Sequence, residues 1–260
     1  MTDVPTDPFR DDMLKGRVVF VSGGSSGVNL GVATRFAEKG AHVTLVSRTE
    51  EKLIAAADTI TSAGGSADYA VADVRDAEAV RAALELCHER HGLIDVVLSG
   101  AAGNFLAPVN KLSSNGFRTV IDIDLIGTYN VLKHSYDLLR RPGAALISIS
   151  APQAVRPMAE QSHAGAAKAG INMLTKNLAL EWGGEGIRVN AISPGYIANT
   201  EGTSRLIDTP EKSEALLRKI PVGRLGEKTE IADLALFLAS DRAAYITGAI
   251  FDCDGGLTLN

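Results

Sequence analysis

Residues 18–31 read VVFVSGGSSGVNLG, and this stretch decides the fold. Val18, Val19, Phe20 and Val21 are β-branched or aromatic and uncharged, as a strand buried on both faces requires. Gly23, Gly24 and Gly27 then let the backbone turn tightly and approach whatever lies above the strand. From Gly31 the apolar positions Val32, Ala33, Phe36 and Ala37 recur at helical spacing until Gly40 closes the element. Strand, turn and helix start together make an anion site, because unpaired backbone N–H groups and the helix dipole point at the turn. A nucleotide pyrophosphate suits such a site, held by the turn from Gly23 through Ser25, Ser26 and Gly27 to Val28. Asn29 stands where the usual dinucleotide fingerprint has its third glycine. Taken alone, the turn is therefore also compatible with a loop that binds nothing.

Outward from this unit, strands alternate with helices at nearly every step. Strands are expected at 42–47, 67–71, 94–99, 144–150, 188–193 and 246–253. Helices are expected from Thr49 to about residue 63, from the cap Asp76 to residue 91, from Ser113 or Ser114 to about residue 140, and over 161–182. This order implies right-handed crossovers and an α/β doubly wound, seven-stranded parallel sheet of the Rossmann type, with helices on both faces. No linker or change in composition divides the chain, so 1–260 reads as one domain. Residues 1–14 form a polar extension and about 199–220 a substrate lid.

The 260 residues suffice for a full core, and 45% hydrophobic content with a mean hydropathy of +0.08 is that of a soluble globular protein. A formal charge of −5 gives no basic footprint for nucleic acid. Cys87 and Cys253 read as free thiols in a reducing compartment. No cluster of ligands at metal spacing is present, and no metal is expected. The N-terminal residues show no apolar leader segment and no run approaches a membrane span. The chain is expected in the cytoplasm.

In such sheets ligands bind beyond the C-terminal strand ends. Arg48 follows the second strand, where a cofactor's adenosine ribose would lie. A cation there in place of an acid favours a 2′-phosphate, hence NADP(H) over NAD, although a helix-start arginine can also be merely solvated. Asp73 ends the third strand and could accept from an adenine amino group or simply cap a turn.

These positions resemble the short-chain dehydrogenase/reductase family from about residue 14 to 257. The resemblance rests on SGGSSGV, on AAG at 101–103, on Lys168, on RVNAISPG at 188–195 and on the ending ITGAIFDCDGG. It implies a nicotinamide cofactor and a homotetramer. The family's usual site has an Asn, a Ser, and a Tyr four residues before a Lys on one helix face. Here Lys168 is kept, but the other positions hold Asp124, Ala151 and Ala164. His163 is five residues from Lys168, about 140° round the helix, and reads as a packing or surface residue. Loss of both hydroxyls speaks against ordinary alcohol–ketone interconversion, which needs a proton donor matched to an alkoxide.

A narrower resemblance lies within the family. AAGNFLAP, TVIDIDLIGTYNV, HAGAAKAG, LEWGGEGIRVN and TEGTSRL are similar to the peroxisomal-type 2,4-dienoyl-CoA reductases. That likeness implies NADPH-dependent reduction of a conjugated double bond in an acyl-CoA thioester. By the same likeness Asp124 would position or protonate a catalytic water, with a structural helix acid as the alternative, and Lys168 would bind the nicotinamide ribose. Val74, Gly100 and Ala101 would border the cofactor, and Pro194, Gly195, Ile197 and Thr200 would wrap its amide. Phe105, Ser113, Ser114 and Asn115 would line the acyl or pantetheine path, and Arg75 and Arg205 would meet phosphates, with plain core the alternative for Phe105 and solvated charges for the two arginines. The chain ends LTLN, without a peroxisomal SKL address. Two other readings stay open: an oxidoreductase of a hydroxyl or ketone with an atypical proton relay, and a nucleotide-binding protein without turnover.

Overall fold

The computed structural model describes residues 7–204 and 209–259. Seven parallel strands form one sheet: β1 (Val18–Ser22), β2 (His42–Ser47), β3 (Ser66–Val71), β4 (Val96–Ser99), β5 (Ala145–Ile149), β6 (Arg188–Pro194) and β7 (Ile250–Cys253). Their order is β3-β2-β1-β4-β5-β6-β7. The order reverses between β1, which pairs β2 with Val19 opposite Val43, and β4, where Val19 is opposite Val96. A crevice opens at such a reversal, beyond the carboxyl ends of the strands.

Helices cover both faces: α1 (Gly27–Glu38), α2 (Glu50–Ser62), α3 (Ala77–His91), α4 (Ser114–Val120), α5 (Gly127–Ser135), α6 (Ser162–Trp182), α7 (Glu201–Ser204), α8 (Pro210–Leu217) and α9 (Lys228–Ala239). The period-2 alternation of β1 divides the core. Val19 and Val21 join Phe36 of α1 and Leu236 of α9 on one face. Val18 and Phe20 join Leu84 of α3 and Leu132 of α5 on the other. Residues ahead of β1 are tied down as well: Leu14 is buried, and the Asp7 carboxylate meets Arg35 at 2.8 Å and Lys39 at 2.6 Å.

Three local expectations need correction. First, α1 begins at Gly27, not Gly31; Ser26 is its cap, and the whole GVNL turn is helical. Second, the long helix expected to about residue 140 is interrupted by a π-helical segment, Ile121–Ile126, and ends in a 3-10 turn, Tyr136–Leu138. The segment packs closely: a β-carbon on Gly127 would lie 2.6 Å from Val74 Cγ2, and one on Gly170 of α6 would lie 2.8 Å from Leu125 Cδ2. Third, β7 starts at Ile250 rather than Ile246, since Ile246 N–H closes a turn to the Ala243 carbonyl and Gly248, at φ +74°, bends the chain before the strand. Part of the expected lid, including Arg205, lies outside the described residues.

Candidate active site

The crevice at the strand reversal is a cavity of about 560 Å³. The glycine turn forms its floor, with Gly23, Ser25, Ser26, Gly27 and Val28 all on the wall. Gly23 has φ +69°, and a β-carbon there would lie 2.8 Å from the Ala101 backbone, so only glycine lets the turn approach the loop after β4. Gly24 faces the other way: it is buried, and its β-carbon would meet Leu45. Gly24 thus serves packing rather than the cavity wall.

Asn29 fills the place of the third glycine. Its Nδ2 donates to the Gly100 carbonyl at 2.8 Å and to the Gly23 carbonyl at 3.3 Å. Thus one side chain in the first turn of α1 staples the glycine turn to the loop after β4. Gly100, Ala101 and Asn29 all line the cavity.

The end of the cavity expected to take an adenosine is bounded by Arg48, Lys52, Asp73 and Val74. Arg48 is exposed and directs a cation to the wall; Lys52, one helical turn on, adds a second that the sequence reading did not single out. Arg75 has folded back on Asp73, with Nη2 to Oδ2 at 2.6 Å. That hydrogen bond, with smaller help from Arg48, holds the Asp73 carboxyl below its usual range. Arg75 is therefore engaged with Asp73 and does not line the cavity.

At the opposite end, Pro194, Gly195, Ile197 and Thr200 lie on the wall, joined by Tyr196 and Thr203. A β-carbon on Gly195 would come within 2.6 Å of Asp254 Cα, so glycine is required for this loop to close on the chain's last turn. Thr200 Oγ1 donates to the Ile197 carbonyl at 2.8 Å and pairs with Thr203 Oγ1 at 3.1 Å, which fixes the loop's shape.

Asp124 lies in the π-helical segment and is 1% exposed. Segments of this kind re-aim one residue out of the helical register. Its Oδ1 accepts from Gly103 N–H at 2.8 Å, and its Oδ2 is 3.3 Å from Lys168 Nζ. Lys168 also donates to the Ile149 carbonyl at 2.9 Å. The two residues expected to carry chemistry are thus brought together as a buried ion pair beneath the loop after β4, and neither lies on the cavity wall. Neither hydroxyl of the family's usual site is available: Ala151 lines the cavity and Ala164 is buried.

The expected acyl path is placed differently. Phe105 packs on His163, ring centroids 4.6 Å apart, and His163 is fully buried with neither ring nitrogen partnered among the described residues. Ser113 caps α4 by accepting from Gly116 N–H at 3.0 Å, and Ser114 and Asn115 follow it in the first turn. None of Phe105, Ser113, Ser114 and Asn115 lines the cavity. Asn104, Gln153, Met158 and Gln161 do, the last three from the loop at 152–162. Among the described residues no group of His, Cys, Asp and Glu could hold a metal, and no helix is long and apolar enough to cross a membrane. Burial pushes the free Cys87 thiol up to about 11, so it is inert.

Residues 23–258 match the family model described as enoyl-(acyl carrier protein) reductase. The chain is a short-chain dehydrogenase/reductase. It is 41% identical over 250 residues to the peroxisomal 2,4-dienoyl-CoA reductase of Rattus norvegicus, covering 95% of this chain and 86% of that one. A probable 2,4-dienoyl-CoA reductase of Bacillus subtilis is 36% identical, covering 95% and 98%. Among solved structures, a short chain dehydrogenase of Bacillus anthracis aligns with a TM-score of 0.88 at 39% identity, covering 95% and 98%. Membership makes this short-chain dehydrogenase/reductase an oxidoreductase with a nicotinamide cofactor. The glycine cradle at Gly23 and Gly195, whose closeness a side chain would break, fits such a group.

Proposed function

We propose that this short-chain dehydrogenase/reductase uses NADPH to reduce a conjugated carbon–carbon double bond of an acyl-CoA thioester, a 2,4-dienoyl-CoA foremost. The reading is carried by one observation: Ala151 and Ala164 replace both hydroxyl donors beside an intact, buried Asp124–Lys168 pair. A ketone reduction makes an alkoxide that needs a proton on oxygen. Reduction of a conjugated thioester makes an enolate, whose proton goes to carbon, so oxygen-bound donors need only stabilise charge.

When bound, the nicotinamide would supply a hydride to the distal carbon of the diene. Asp124 would hold the water that returns a proton to carbon, and Lys168 would add positive potential over the enolate. Arg48 and Lys52 offer two cations to a 2′-phosphate, which supports NADPH over NADH. A homotetramer in the cytoplasm is part of the proposal. The relatives are named for different products, (3E)-enoyl-CoA for the rat protein and (2E)-enoyl-CoA for the bacterial one.

The test is NADPH oxidation by the purified protein with a trans,trans-2,4-dienoyl-CoA, beside the matching 3-ketoacyl-CoA and a blank without substrate. Turnover of the diene alone is expected. A signal from the ketone alone would keep the family and overturn the reaction.

A further inference from the structure

Three amide side chains from three separate elements meet on the cavity wall. Gln161, the cap residue of α6, accepts at Oε1 from Asn104 Nδ2 at 3.0 Å and from Gln153 Nε2 at 3.0 Å. Asn104 belongs to the loop after β4, and Gln153 to the 3-10 turn Pro152–Ala154. Backbone contacts hold the three segments together. Ala107 N–H donates to the Glu160 carbonyl at 3.0 Å, and a β-carbon on Gly165 of α6 would sit 3.0 Å from the Gln153 carbonyl oxygen.

With Gln161 Oε1 taking both N–H donors, its amino group is turned away from Asn104 and Gln153. The Gln161 amino group is then the end left over, and among the described residues no protein acceptor takes it. Its place in the fold is informative. Ala164 is three residues further along α6, on the side of the helix that Gln161 begins, and Ala151 lines the cavity two residues before Gln153. The oriented donor thus lies beside the positions where the family resemblance puts the two absent hydroxyls.

We propose that the Gln161 amide N–H binds the thioester carbonyl oxygen of the substrate and stabilises the charge that develops there, with Asn104 and Gln153 as positioning residues. The inference deepens the reaction proposed above and rests on it for the identity of the substrate. In that reaction a C–H bond forms at the distal carbon from the hydride. One electron pair moves through the diene onto the thioester oxygen, and a proton from water then returns to carbon as the carbonyl reforms. A primary amide is well matched to this course. It donates a hydrogen bond strongly to an enolate oxygen but is far too weak an acid to protonate it, whereas a phenol could pass its proton to an alkoxide. The exchange of hydroxyls for an amide therefore suits a reaction whose proton must end on carbon.

The experiment compares the full-length wild type with Gln161→Leu and Gln161→Glu, both checked for unchanged NADPH affinity. Two readouts are taken: steady-state kinetics on the diene, and the infrared carbonyl band of a saturated acyl-CoA, carbon-13 labelled at the thioester carbonyl and bound with NADP⁺. Loss of the donor should lower kcat by ~10²–10³ while leaving the KM for NADPH little changed. The carbonyl band should shift to lower frequency on binding wild type and return to its free position in both variants. Asn104→Leu, which frees the Gln161 oxygen, should give a smaller fall in kcat and a broadened band. An unchanged band in Gln161→Leu overturns the inference whatever the substrate. A wild type that is inactive on the diene but shows a Gln161-dependent band shift overturns the reaction and keeps the thioester contact.

Discussion

Asn29 occupies the space that a side chain at position 100 would need. A β-carbon on Gly100 would lie 2.2 Å from Asn29 Oδ1, while Asn29 Nδ2 holds the Gly100 carbonyl at 2.8 Å. The extra volume in the first turn of α1 is thus matched by an absence of volume after β4. The two positions form one steric unit that links the cofactor turn to the segment reaching Gly103 and, through its N–H, Asp124.

Gly100→Ala should therefore destabilise the protein by about 1–3 kcal/mol through overpacking. Asn29→Gly should also cost stability, by leaving the Gly100 carbonyl without its donor. The double variant Asn29→Gly/Gly100→Ala should lose less than the two single losses added, because the clash exists only when both volumes are present. Urea unfolding midpoints of the four proteins measure this. Strict additivity would show that the two residues do not compete for space.

The buried pair of Asp124 and Lys168 makes a second prediction, in which stability and activity separate. Lys168→Met leaves the Asp124 carboxylate buried beside a single backbone N–H, a loss of ~3–5 kcal/mol for a broken buried pair. Lys168→Met/Asp124→Asn removes the stranded charge and should recover part of that loss. Asp124→Asn alone keeps the shape of the site but removes the carboxylate that holds the proton-donating water, so turnover should drop by ~10²–10⁴ while NADPH affinity stays within a few fold. Thermal unfolding, turnover and nucleotide titration on the three variants decide the matter. Turnover by Asp124→Asn equal to wild type would remove the residue from the mechanism.

Arg48 tests the cofactor. It stands exposed on the cavity wall and has no ion pair among the described residues, whereas Arg75 is held by Asp73. A charge-assisted contact to a 2′-phosphate contributes ~1.5–3 kcal/mol. Arg48→Asp should accordingly shift the ratio of kcat/KM for NADPH over NADH by about 10- to 100-fold toward NADH. The same substitution at Arg75 should move the ratio much less, and equal shifts from both would deny Arg48 a special place.

The parts of this molecule that were legible in its residues are those governed by local pattern. The uncharged run at 18–21 and the glycines after it specify strand and turn directly, and strand ends mark the wall of the cavity, as Arg48, Asp73 and Pro194 show. The π-helical segment was not legible, because 114–135 keeps a helical pattern throughout and the close contacts of Gly127 with Val74 and of Gly170 with Leu125 exist only in the fold. The amide cluster was hidden for a related reason. Asn104 and Gln161 are 57 residues apart and meet only once the sheet is built. Ser113 misled in the other direction, since a serine that caps a helix looks in sequence like one that faces a ligand.

Acid should weaken the protein through a contact remote from Asp124. Arg224 donates to both oxygens of Glu230, at 2.9 and 2.7 Å, and the Glu227 N–H donates to Glu230 as half of a capping box at the start of α9. These bonds, that of Arg224 first, lower the Glu230 carboxyl from 4.5 to about 2. A carboxyl whose folded pKa lies below its unfolded value binds protons more readily in the unfolded chain. Its contribution is fully present above the unfolded value and is lost as the pH falls through the window between 4.5 and about 2. Arg224→Gln removes the largest cause and should raise the folded value, narrowing the window. Wild type should therefore be the more stable of the two at neutral pH, and the gap should close progressively as the solution is acidified through that range. Urea midpoints of both proteins across the window measure it. A gap of constant size would mean that the arginine acts by packing alone, and its charge would then have no part in holding the helix start.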